Sequence, residues 1–313
     1  IFSMPQLYQN LFNCRVNNDV LRDHLPEMGQ RWEGRKDGLK TGFADLDAML
    51  GGLRSGNLVL IAARPAMGKT SLAMQIGARV AADGVVVAFS QEMTDTELAD
   101  RMLSAAGGIP LSTIVAGGLS IEEHDRFAAA LGRLNPLRLY IDDQPAQRLS
   151  DIRAKALSIR RRNEIALIVV DYLQLMSGDD ARKPSSNRNA EIEQISRGLK
   201  ALAKELACPV IALSQLNRDL EKRPNKRPVL SDLRDSGAIE QDADVVLMIY
   251  RDEVYNPESP DKGIAEILIR KHRQGQTGTV RLKWRGEFTS FGNCTYQDAP
   301  QAAQKRYKRG FDE

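Results

Sequence analysis

Ala63-Arg64-Pro65-Ala66-Met67-Gly68-Lys69-Thr70 follows the apolar run Leu58 to Ala63 and opens onto Ser71 to Val80, a stretch suited to a helix. An apolar strand, a tight glycine-bearing turn and a helix beginning at Lys-Thr form the context that a phosphate-binding loop requires. Backbone N–H groups and the helix N-terminus can cradle phosphate oxygens, Lys69 can meet the terminal phosphates of ATP, and the Thr70 hydroxyl can ligate Mg²⁺. The cradle is read as Arg64, Pro65, Ala66, Met67, Gly68, Lys69, Thr70 and Ser71. Ala63 stands where such loops usually carry their first glycine. Its methyl is tolerated only if the residue avoids positive φ, which leaves the starting conformation of the loop open.

Outward from this loop, five further apolar runs alternate with longer helical stretches: Val85 to Phe89, Leu137 to Ile141, Ile165 to Val170, Val210 to Leu213 and Val245 to Ile249. The alternation predicts an α/β fold with a mostly parallel central sheet flanked by helices. Ile192, Ile195, Leu199, Leu202 and Leu206 recur at helical spacing and predict an amphipathic helix over 190–206. Near the end, Ile264 to Ile269 and Thr279 to Trp284 predict a C-terminal β-hairpin whose turn is the polar stretch Arg270 to Gly278. Residues 1–37, interrupted by Pro5 and Pro26, read as a helical linker; 38–294 form the main domain; 295–313 form a polar, loose tail.

Lys plus Arg total 44 against 41 Asp plus Glu, a net charge of +3, so any nucleic-acid surface must be local. Cys14, Cys208 and Cys294 lie far apart, without zinc or disulfide spacing, which points to a reducing cytoplasm. No apolar run is long enough for a bilayer, so no membrane partner is expected. The chain opens on Ile rather than Met, which reads as a fragment or processed form.

Three carboxylate or amide positions sit at predicted strand ends, where open α/β sheets bind ligands. Asp171 ends Ile165 to Val170 and can support Mg²⁺. Glu92 follows Val85 to Gln91 and is the candidate to activate water; its alternative is an N-terminal acid on a helix over 94–105. Gln215 follows Val210 to Ser214 and can sense the γ-phosphate, or simply cap the strand.

Two segments offer cations. Leu216 to Ser236 carries Arg218, Lys222, Arg223, Lys226, Arg227 and Arg234, with few aromatics, and suits a phosphodiester backbone better than stacked bases. A second loop, Ser177 to Arg188, adds Arg182, Lys183 and Arg188. In the late turn, Arg270-Lys271-His272-Arg273 has no acidic partner visible in the sequence, so Lys271 and Arg273 suit a phosphate supplied by a neighbouring subunit.

Taken together, Ala62 to Thr70, Ser90-Gln91-Glu92-Met93, Asp171 to Met176, Ser196 to Leu206 and Asp232 to Asp244 resemble the C-terminal motor domain of the replicative DnaB helicase family. The resemblance spans roughly 38–292. It implies a RecA-like P-loop ATPase core, a homohexamer around single-stranded DNA, ATP and Mg²⁺ between subunits, and 5′-3′ unwinding. It implies nucleotide and metal roles for Lys69 and Thr70, water activation by Glu92, metal support by Asp171 and phosphate sensing by Gln215. Arg234, Asp235 and Gly237, with Arg223 and Arg188 beside them, are the DNA candidates, and Lys271 and Arg273 reach the neighbour's ATP. The family's N-terminal helical domain has no counterpart in 1–38, which weakens the expectation of primase and loader contacts. The rival readings are a recombination or clock-type ATPase, an ATP-gated scaffold without unwinding, and, more remotely, a small-molecule kinase.

Overall fold

The six apolar runs become parallel strands because each is flanked by helices on both faces. These are β1 (Leu58–Ala63), β2 (Val85–Ser90), β3 (Leu139–Asp142), β4 (Ile165–Asp171), β5 (Val210–Gln215) and β6 (Val245–Tyr250). Antiparallel β7 (Ile264–His272), β8 (Gly278–Arg285) and β9 (Ser290–Asn293) complete one nine-stranded sheet in the order β3-β2-β4-β5-β1-β6-β7-β8-β9. The computed structural model describes residues 22, 25, 26, 38–176, 188–233 and 237–295. The chain divides into two compact units, Ile1–Gly38 and Leu39–Glu313. The expectations for 1–37 fall almost entirely outside the described residues, as do those for the loop 177–187 and the tail beyond 295.

Alternation along each strand sends successive side chains to opposite faces. Val59, Ile61 and Ala63 join one apolar layer, with Leu72 and Ile76 of α2 (Lys69–Ala81) and Leu46 and Leu50 of α1 (Ala44–Leu50). Leu58, Leu60 and Ala62 join the other, under α6 (Leu149–Arg160) and α7 (Arg188–Leu206). Between β2 and β3 lie α3 (Asp95–Gly107), α4 (Leu111–Ala116) and α5 (Ile121–Leu134). The predicted amphipathic face holds: Ile192, Ile195, Leu199, Leu202 and Leu206 are all buried. After it comes α8 (Gly237–Asp242). No helix of the described residues is long and apolar enough to cross a membrane.

Two expectations are corrected. The late hairpin is part of a three-stranded antiparallel extension, because Ser290–Asn293 pairs with β8. The strand β7 also continues through Arg270, Lys271 and His272, so these residues are not in the turn. Pairing with β6 passes from Leu247↔Ile269 to Val246↔Lys271, leaving Arg270 as a bulge.

Candidate active site

The phosphate-binding loop starts as strand. Ala63 pairs with Gln215 on one side and Ile249 on the other, and the positive φ values fall later, at Ala66 (64°) and Gly68 (96°). Ala63 thus needs no glycine, whereas Gly68 does. A Cβ at Gly68 would stand 2.8 Å from Phe291 and 2.9 Å from Trp284. Helix α2 then begins at Lys69, two residues before the expected start.

Three strand ends converge on this loop. Register pairs Ser90 with Asp171, and the Gln91 N–H donates to the Asp171 carbonyl at 2.7 Å, which sets the ends of β2 and β4 side by side. The Lys69 ammonium lies 3.1 Å from Asp171 Oδ1, 3.6 Å from Glu92 Oε2 and 4.0 Å from the Tyr172 ring centroid. The Thr70 hydroxyl donates to Asp171 Oδ2 at 2.6 Å. Asp171 is 3% exposed, whereas the Glu92 side chain is 51% exposed and open to solvent.

Glu92 is not a helix cap. Helix α3 starts at Asp95 under a capping box formed by Thr94 and Glu97, so its first-turn acids are already Asp95 and Glu97. Gln215 ends β5 on the rim of the same cleft, an open space of about 190 Å³. Its backbone N–H donates to Gln174 Oε1 at 3.3 Å, and Gln174 Nε2 donates to Ser214 Oγ at 2.9 Å. The Gln174 amide stands in where the β4–β5 ladder has ended at Val170↔Ala212.

Sequence reasoning passed over Arg101, Tyr172 and Met93, which line the cleft, and Arg251, whose guanidinium donates to the Ala66 carbonyl at 2.9 Å. Tyr172 was within reach as the neighbour of Asp171. Arg101 sits mid-helix and Arg251 just beyond a strand, and nothing in their local spacing marks them.

The basic segment after β5 is more committed than its composition suggested. Arg223 donates to buried Asp232 at 2.5 Å, and Arg227 forms a two-pronged pair with Glu266 at 2.7 and 2.8 Å. This correction removes Arg223 from the free cations: its guanidinium neutralises Asp232. Arg234 and Asp235 lie outside the described residues; Gly237 opens α8 and Arg188 opens α7.

Lys271 and Arg273 also have partners that the sequence hid. The Lys271 ammonium donates to the carbonyls of Glu240 and, at 3.1 Å, Gln241, and Arg273 donates to the Gln241 carbonyl, so both cap the C-terminus of α8. Arg273 Nη1 lies 3.6 Å from Asp244, the acidic neighbour that had not been anticipated. Burial and the Arg273 charge hold the Lys271 ammonium below its ordinary range.

A model of the DnaB-like helicase C terminal domain matches residues 38–293. The chain belongs to that family. It is 45% identical over 269 residues to the replicative DNA helicase DnaB of Geobacillus stearothermophilus, covering 85% of this chain and 59% of that protein. With the Haemophilus influenzae (strain ATCC 51907 / DSM 11121 / KW20 / Rd) replicative DNA helicase DnaB it shares 48% identity over 267 residues, covering 83% and 56%. The chain therefore spans somewhat under two thirds of the length of these curated relatives. Among solved structures, an isolated ATPase domain superimposes with a TM-score of 0.83 at 38% identity, covering 88% of this chain and 99% of that one. A DnaB-like replicative helicase described with its primase interactions gives 0.81 at 37%, covering 90% and 67%. The fold of this DnaB-like domain is thus the RecA-like α/β core.

Proposed function

We propose that the chain is the ATP-driven motor of a replicative DNA helicase, acting in the cytoplasm as a homohexamer that translocates 5′-3′ on single-stranded DNA and unwinds duplex. The observation that carries this reading is the convergence of Lys69, Thr70, Glu92 and Asp171 within 2.6 to 3.6 Å of one another at the β-strand ends. Without nucleotide, the Lys69 charge is balanced by two carboxylates; the phosphates of ATP are the anions that would replace them. The set of hydroxyl and carboxylate oxygens at Thr70 and Asp171 fits Mg²⁺ rather than a thiophilic metal. Bound there, the ion would offset charge on the β- and γ-phosphates.

Glu92, exposed and free of capping duty, takes a proton from the attacking water. Water oxygen bonds to the γ-phosphorus, the bridge to the β-phosphate breaks, and ADP and phosphate leave. Gln215 faces the γ-phosphate from β5. An adjoining apolar recess of about 200 Å³ shares Thr70, Ser71 and Arg101 with the cleft and suits the base. On this reading Arg234, Asp235, Gly237 and Arg188 track the DNA backbone, and primase and a loader remain partners by family likeness.

Strand displacement with ATP and Mg²⁺ separates this motor from a recombination or clock-type scaffold, which would hydrolyse ATP without unwinding. Binding to homopolymer and mixed strands should be sequence-blind and salt-sensitive. Arg234→Ala should lower the salt slope by roughly one per lost phosphate contact in each subunit. A loss confined to one sequence would contradict backbone tracking.

A further inference from the structure

The search outside the strand-end cluster leads to the back of the phosphate-binding loop. Ala66 holds φ at 64°, a conformation that an L-residue keeps only where its surroundings impose it. Its carbonyl accepts from Arg251 Nη1 at 2.9 Å, and the N–H on the other side of the same peptide, that of Met67, donates to the Arg64 carbonyl. This peptide is gripped at both ends.

Arg251 is itself fixed on every side. Its Nη2 and Nε donate to Glu253 Oε1 at 2.6 and 3.0 Å, and Glu253 Oε2 accepts from the Gly263 N–H at 2.7 Å. The guanidinium lies 4.4 Å from the Trp284 ring, and the two charged side chains are only 11% and 15% exposed. Trp284 in turn packs on Phe291, and the same ring pair leaves no room for a Cβ at Gly68. The Gln75 amide closes the circuit from α2 by accepting from the Phe291 N–H at 2.7 Å.

We infer that Arg251 is a positioning residue for nucleotide binding. It holds the Ala66–Met67 peptide so that the following N–H groups already face the phosphates, with Glu253 and Trp284 fixing the guanidinium. This inference rests on the proposal that the cleft binds ATP. Arg251 does not line the cleft, so it acts only through the loop. Its loss should therefore raise the ordering cost of binding more than the barrier to hydrolysis.

The test compares wild type, Arg251→Gln, Arg251→Lys and Lys69→Ala for Mg²⁺-dependent affinity toward a fluorescent ADP, for kcat and KM with ATP, and for melting without nucleotide. Arg251→Gln should weaken ADP binding and raise KM about tenfold, on the scale of one charge-assisted hydrogen bond. The kcat at saturating ATP should fall by less than the affinity does. Arg251→Lys, which keeps a donor for Ala66 but loses the fork held by Glu253, should lie between, and it carries the test if Arg251→Gln does not fold. Near-wild-type affinity in a folded variant, or a loss of kcat equal to the loss of affinity, overturns the inference. If Lys69→Ala hydrolyses ATP normally, the reading of the cleft itself fails; if Lys69→Ala is inactive while both Arg251 variants bind ADP like wild type, only the bracing role fails.

Discussion

Lys69 shows what a nearly buried ammonium requires: at 12% exposure it is balanced by Asp171, Glu92 and the Tyr172 ring. Lys69→Ala should leave the fold intact and lower ATP turnover by roughly 10²-fold or more, the usual cost of deleting one preorganised donor to developing charge. Glu92→Gln should retain ATP binding while losing hydrolysis, read by nucleotide titration beside a phosphate-release assay. Loss of both would make Glu92 structural. A different residue sets a pH limit. Burial at the end of β7 holds the His272 imidazole below its ordinary value of 6.5. The unfolded chain therefore binds this proton before the folded one does, so the stability tied to neutral His272 is complete above 6.5 and declines as pH falls toward the folded value. Urea midpoints measured from neutral to mildly acid pH should fall, and His272→Gln should flatten that decline. Lys69, Thr70, Glu92, Asp171 and Gln215 were readable because each sits at an apolar-to-polar boundary ending a strand or opening a helix. Arg101 and Arg251 were not, because their contacts cross between elements that no local pattern connects.

Strands and helices were legible where one face is buried and obscure where charge runs along them. The register of β1 through β6 follows from unbroken apolar runs, but β7 carries Arg270, Lys271 and His272 past the point where its apolar residues stop, and Ser-Phe-Gly-Asn in β9 is too short to show alternation. Hydrophobic patterning finds what a sheet buries, not the ladder that continues beyond it. A similar irregularity sits at the other side of the sheet. Val85↔Ile165 passes to Val86↔Leu167, so Ala166 bulges out of β4 toward the turn before β2. A Cβ built on Gly84 would lie 2.5 Å from the Ala166 Cβ, and neither atom can rotate away. Gly84→Ala forces the backbone to move, at about 1–3 kcal/mol for overpacking. The entropy gained by restricting the unfolded chain offsets only about 0.4–1 kcal/mol of this. The substitution should therefore lower the denaturation midpoint, and an equal or higher midpoint would show that the turn can yield.

For the whole molecule the question is whose phosphate Arg273 meets. Within one chain it stands at the wrong edge of the sheet: His272 pairs with Val245 where β6 begins, whereas the phosphate loop follows Ala63, which pairs with Ile249 near the end of β6. Four residues of strand separate the two levels, about 13 Å at a rise of ~3.3 Å each, before the loop itself is crossed. Instead, Arg273 and Lys271 rest on carbonyls at the C-terminus of α8, a neutral acceptor set that an incoming triphosphate could outcompete. An arginine acting across a subunit interface contributes about 10³ to 10⁵ in turnover, so Arg273→Ala should cripple hydrolysis and spare nucleotide binding. Mixing Arg273→Ala subunits with Glu92→Gln subunits, each inactive alone, decides between trans and cis. In a shared ring, some interfaces would set the intact Glu92 of one subunit against the intact Arg273 of its neighbour, and partial ATPase activity should return. If proven subunit exchange restores nothing, either Arg273 works in cis or hydrolysis demands every site around the ring; if Arg273→Ala alone is fully active, the assignment is wrong.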